Sequence, residues 1–171
     1  MVLVWRATAM AVHEETQNNP QVRERLRAAK LDPNDYFLEV VEARSGKHLG
    51  SLLVDTGQGS FIISGIIASG EFVVITDNQN RTLRYSLSSE AEKGRLFGTL
   101  PAILSHAGLL ALQKEHGHLN LYDLSTLELV DQFVFPSPIV LKLFAAEGDR
   151  LFVLTADQTA HTLNLTTELP L

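Results

Sequence analysis

Short runs of apolar residues, many of them β-branched, recur along this chain and are closed by clusters of Gly, Asn, Asp, Ser and Pro. This rhythm predicts strands and tight turns rather than helices. One unit repeats: an apolar strand, a polar turn, a second strand ending near a Leu, and another short turn. It runs over Phe72–Leu87, Leu109–Leu124 and Leu151–Leu165. The first strands end at Ile75, Leu112 and Leu154, and the matching Leu87, Leu124 and Leu165 follow eleven or twelve residues later. A fourth cycle is legible where Leu38–Ala43 aligns with Leu119–Leu124. The interval between cycles is about 40 residues, which suits a four-stranded unit that buries its faces only by stacking on its neighbours.

One segment breaks the rhythm. Asn19 is a good N-cap and Pro20 fits the first helical position. Val22, Leu26 and Ala29 then recur on one helical face, and Pro33 disfavours helix at Asp32. A short helix inserted over about 20–30 is expected. Its Arg23, Arg25, Arg27 and Lys30 make it basic.

Composition narrows the class. The 171 residues suffice for one well-cored domain. A net charge of −6 argues against general nucleic-acid binding, which needs a basic surface. The absence of cysteine removes disulfides, thiolate metal sites and a cysteine nucleophile. The longest apolar run, Phe61–Ala68, is far short of a membrane span, so direct membrane insertion is not expected.

At Leu119–Val130 the chain resembles β-propeller repeats of the WD40 and quinoprotein-like kind. Tyr122-Asp123 stands where those repeats often place an aromatic residue and Asp, while their Gly-His pair is absent. The resemblance implies an all-β fold: a partial β-propeller of about four antiparallel blades with one short inserted helix. The blades are expected at about 2–57 (with the insertion at 17–35), 58–98, 99–136 and 137–171. The first would lack its innermost strand and the last its outer strand. On this reading the chain is the C-terminal part of a propeller of six to eight blades, or a homo-oligomer completes the ring.

The expected function is a non-catalytic scaffold that presents a loop face to a protein or peptide. The alternative is part of a propeller enzyme, a quinoprotein-type dehydrogenase or lactonase. Its ligands would converge on the inner strands, yet Phe61–Ala68, Pro101–Ser105 and Ile139–Ala145 hold no Asp or Glu. No cofactor or metal is expected. Arg23 and Arg27 of the helix and His116 and His118 of a hairpin turn are the candidate partner-binding residues. Two His are too few for a zinc site, and a turn with Gly117 at positive φ explains them as well. Asp77, Asp123 and Asp157 are expected in related blade positions; they either ring a cation or bond their own turns, and turn chemistry is favoured.

Overall fold

The structure, a computed structural model, describes residues 2–8, 24, 36–54, 62–88, 91–105, 107–145 and 150–165. Among the described residues, fourteen strands form four separate antiparallel sheets. Sheet I holds β1 (Val2–Thr8), β2 (Tyr36–Glu42) and β3 (His48–Val54). Sheet II holds β4 (Ile63–Ser69), β5 (Phe72–Asp77), β6 (Arg81–Ser86) and β7 (Ala91–Phe97). Sheet III holds β8 (Thr99–Leu104), β9 (Leu109–Gln113), β10 (His118–Asp123) and β11 (Leu129–Val134). Sheet IV holds β12 (Ile139–Phe144), β13 (Arg150–Thr155) and β14 (Ala160–Asn164). Each sheet is a simple meander, and β4, β8 and β12 touch in series as inner strands. The chain is therefore a partial β-propeller, as the repeat implied. The helix expected over 20–30 lies outside the described residues apart from Glu24, whose backbone is helical.

Among the described residues the core is three seams between consecutive sheets. Leu38, Val40, Leu52 and Val54 of sheet I meet Val73, Ile75, Leu83 and Tyr85 of sheet II. Val74 and Ile67, on the opposite face of sheet II, meet Leu110, Leu112 and Tyr122 of sheet III. Ala111, Leu119 and Leu121 then meet Ile139, Leu151 and Val153 of sheet IV. Adjacent strand residues serve different seams because strand side chains alternate between faces. That is why the middle strands read as continuous apolar runs.

Two glycines lock neighbouring sheets. Gly50 of β3 and Gly94 of β7 occupy the same register position, each beside the bulge of its outer hairpin. Leu87, from the turn after β6, sits against Gly50, and Leu127, from the turn after β10, sits against Gly94. A Cβ at Gly94 would fall 2.4 Å from Leu127 Cδ1, and one at Gly50 would lie 3.0 Å from Leu87 Cβ, so each leucine would have to give way.

Register also corrects the repeat alignment. Spacing equates Leu154 with Ile75. The ladders instead pair Ile66 with Ile75 in sheet II and Lys142 with Val153 in sheet IV, each one step after an inner bulge. Ile75 therefore corresponds to Val153, and Leu154 lies on the other face. A one-residue slip reverses every side chain of a strand.

Candidate partner-binding face

The β5–β6, β9–β10 and β13–β14 turns lie at one end of the sheets, with the connections from one sheet to the next. Asp77 closes β5 there and is 1% exposed. Its Oδ1 accepts the N–H groups of Gln79 and Arg81, both at 2.9 Å, and its Oδ2 accepts Nε of Arg81 at 2.5 Å. Burial alone would raise this carboxyl, but the bonds from Arg81 and Gln79 outweigh it and hold the pKa below its ordinary value. Asp77 is thus an ionised clamp on its own turn. Nearby, the Thr82 hydroxyl bonds the Gly98 carbonyl at 3.1 Å.

That clamp fixes an apolar rim. The turn Asn78–Asn80 bonds Ile62 through Asn78 N–H (2.9 Å) and Asn78 Oδ1 (3.2 Å), and it bonds Gly98 N–H through the Asn80 carbonyl (2.8 Å). Ile62, Phe97 and Leu100 flank these bonds and are 56%, 59% and 48% exposed. Leu100 has a φ of +49°, which a branched side chain adopts only under constraint. β8 starts with Thr99 paired to Gln113, so the rim continues into the turn that carries His116. His116 is exposed and His118 is half-buried at the start of β10. Gly117 between them has a φ of +77°, and a Cβ there would strike the Phe135 carbonyl. The hairpin geometry expected for this turn is therefore present. Arg23 and Arg27 lie outside the described residues.

The turn acids do not form one ring. Asp157 shares the end with Asp77, and its Oδ1 accepts the Thr155 hydroxyl at 2.5 Å and the Thr159 N–H at 3.2 Å. These bonds, that of the Thr155 hydroxyl foremost, lower its pKa. Asp123 stands at the opposite end, between β10 and β11. Its Oδ1 accepts the Ser125 hydroxyl (2.5 Å) and the N–H groups of Ser125 and Thr126 (both 2.8 Å), which keep it ionised against a partial burial cost. Among the described residues no cluster of three or more His, Asp or Glu is placed to hold a metal ion.

A groove of about 210 Å³ opens at that opposite end, lined by Ser69, Glu71, Ser105, Gly108, Asp123 and Ser125 among others. It is smaller than the roughly 300–1,000 Å³ of typical small-molecule and cofactor sites. The hydroxyls of Ser69 and Ser105 bond each other across it at 2.8 Å. Arg84 of β6 stacks on Phe72, 5.0 Å from the ring centre, and donates Nη1 to the carbonyls of Leu124 (2.6 Å) and Ser125. Burial lowers the Arg84 pKa, and the nearby Asp123 and Glu71 oppose the shift. This arginine ties sheet II to the β10–β11 turn.

Two buried basic residues carry little signal in the sequence. Arg84 was hidden in an ordinary strand, Thr82-Leu83-Arg84-Tyr85. Lys142 interrupts the apolar inner strand Ile139–Phe144, which is the only signal it gives. It is 6% exposed, and its Nζ has no hydrogen-bond partner among the described residues. Burial pushes its pKa down to about 8.

No family model and no curated protein matches this chain. Among solved structures it is similar to a chain in the crystal structure of the mitotic checkpoint complex, with a TM-score of 0.57 and 14% sequence identity. The match covers 77% of this chain and 42% of that one, so the matched region is less than half the length of that neighbour. The likeness, together with the four meander sheets, shows a WD40-like β-propeller fold.

Proposed function

We propose that this chain is a non-catalytic scaffold whose turn-bearing end face holds a protein or peptide partner. The apolar rim of Ile62, Phe97 and Leu100, held out to solvent by the Asn78–Asn80 turn, carries this reading. Exposed apolar side chains bordered by polar turns are the composition of a protein-binding patch. A flexible patch would collapse onto itself; here Asp77, Arg81 and Gly98 fix the backbone beneath it. The occurrence of the structural neighbour in a multiprotein complex supports the same class. Phe97 and Leu100 are the expected anchors, since a few large side chains dominate such contacts. His116 and His118 extend the face, and Arg23 and Arg27 of the inserted segment are proposed to stand over it and favour an acidic flank on the partner.

The test is selection of displayed peptides against the chain, followed by fluorescence polarisation with the selected sequences. Phe97→Ala combined with Leu100→Ala is expected to weaken binding about tenfold or more, equivalent to about 1.4 kcal/mol. His116→Ala with His118→Ala should weaken it less. Unchanged affinity in the Phe97/Leu100 variant, with loss on Glu71→Lys, would move the partner to the groove at the other end.

A further inference from the structure

The groove at the end opposite the apolar rim carries negative charge that the chain does not fully offset. It lies between sheets II and III, with the β4–β5 turn on one side and the β8–β9 and β10–β11 turns on the other. Two of its lining residues are carboxylates, Glu71 and Asp123. Glu71 Oε2 accepts the Ser88 hydroxyl at 2.9 Å, and Asp123 Oδ1 takes every donor of its own turn. Among the described residues neither Glu71 Oε1 nor Asp123 Oδ2 accepts a hydrogen bond, and neither carboxylate forms an ion pair. Arg84 is the cation that both act on, but its Nη1 is committed to the Leu124 and Ser125 carbonyls and its guanidinium stacks on Phe72. Two negative charges therefore face one positive charge that is already engaged elsewhere.

We infer that this groove is a second binding site, which takes one lysine or arginine side chain from a basic segment of a partner. Glu71 Oε1 and Asp123 Oδ2 are the acceptors for its cationic head, in charge-assisted hydrogen bonds. Size, rigidity and charge agree on this occupant. The volume of about 210 Å³ suits a single long side chain rather than a cofactor. The space beside Gly70 and Gly108 is open, since a Cβ at either would meet nothing within 4 Å. The walls are already fixed: the hydroxyls of Ser69 and Ser105 bond across the groove at 2.8 Å, Leu124 N–H bonds the Gly108 carbonyl at 2.6 Å, and Leu87 N–H bonds the Glu71 carbonyl at 2.7 Å. Little binding energy is then spent on ordering the protein. An anionic ligand would meet both carboxylates, and an apolar one would strip their water and return nothing. The net charge of −6 also draws a basic segment toward the chain. This site lies at the far end from Phe97 and Leu100 and does not rest on the reading given for that face.

Amide nitrogen–proton NMR on the 171-residue chain tests the inference. The probes are the end-blocked tripeptides Gly-Arg-Gly, Gly-Lys-Gly and Gly-citrulline-Gly; citrulline keeps the shape of arginine without its charge. Titration with the arginine or the lysine peptide should give saturable shifts centred on Gly70, Gly108 and Ser125, and the two arms show which head is preferred. The citrulline peptide should bind about tenfold more weakly or not at all. Glu71→Gln should weaken binding of the charged peptides about fivefold or more while the rest of the spectrum stays unchanged, because glutamine can still accept the Ser88 hydroxyl. Glu115→Gln removes an equally exposed acid from the opposite end and should leave binding unchanged. Equal shifts with citrulline, shifts that never saturate or spread over the acidic surface, binding that survives Glu71→Gln, or binding lost on Glu115→Gln would each overturn the inference. Peptide binding at Phe97 and Leu100 is read separately, from amides at the other end.

Discussion

Sheets II and IV have the same register through their inner hairpins but differ in what each position does. Ile63–Asp77 corresponds to Ile139–Thr155, and in both sheets an inner bulge follows. Gly65–Thr76 then corresponds to Leu141–Leu154, and Ile66–Ile75 to Lys142–Val153. In sheet II the turn is clamped by a buried carboxylate, the inner strand is apolar, and both faces are covered. In sheet IV a threonine and an exposed aspartate replace the clamp, a lysine interrupts the inner strand, and one face is exposed among the described residues. The backbone ladder therefore sets where a side chain points, while the neighbouring sheet sets what that side chain is worth. Identical positions become seam, site or liability according to their cover.

The largest effect should come from breaking the clamp. Asp77→Ala removes the acceptor for two N–H groups and the Arg81 guanidinium, and should cost about 3 kcal/mol in urea unfolding at pH 7. Because the folded pKa of Asp77 is lowered, its stabilisation is present above the ordinary value of 3.8 and is lost as pH falls through the folded value. Wild type and variant should therefore converge in acid. If the gap persisted at low pH, the ion pair would not be its source.

Next comes Lys142, which can be made to match sheet II. Lys142→Ile puts in the residue found at Ile66 and should raise stability near pH 7 by about 2–3 kcal/mol, since it relieves a buried ammonium with no hydrogen-bond partner among the described residues. The lysine is protonated in both states below about pH 8. Between there and the ordinary value of 10.5 the unfolded chain binds more protons, so wild-type stability should rise with pH across that window. The variant should lose this rise. A wild type with flat stability from pH 8 to 10.5 would show that Nζ reaches solvent.

The smallest effect lies in the β13–β14 turn. Gln158 has a φ of +64° where the matching turn of sheet II uses Asn80 at +59° and that of sheet III uses Gly117. Gln158→Gly should gain about 0.5–1 kcal/mol by removing left-handed strain, less the entropy glycine adds to the unfolded chain. Thermal melts should show a small upward shift, and a fall would mean that the side chain has a contact that outweighs the strain.

Much of this architecture was legible because strand alternation is local. The hairpins at Phe72–Leu87 and Leu109–Leu124 follow from apolar runs and from turn residues such as Asn80 and Gly117, whose backbone preference needs no partner. The site was less legible. Phe97 and Leu100 give no sign of a site in the sequence, and their exposure depends on where the Asn78–Asn80 turn bonds Ile62 and Gly98. Gly50 and Gly94 gave no sign that each receives a leucine from the next sheet.

The amino-acid order alone determined which segments extend, where they turn, and that they repeat in stackable units, because those preferences arise within a few bonds. Only the tertiary structure decided which face each strand shows. Bulges shift the register by one residue, and that shift put Val153 inside and Leu154 outside. It also decided that Lys142 is buried and that Asp123 stands apart from Asp77 and Asp157, since burial and proximity are set by the neighbouring sheets.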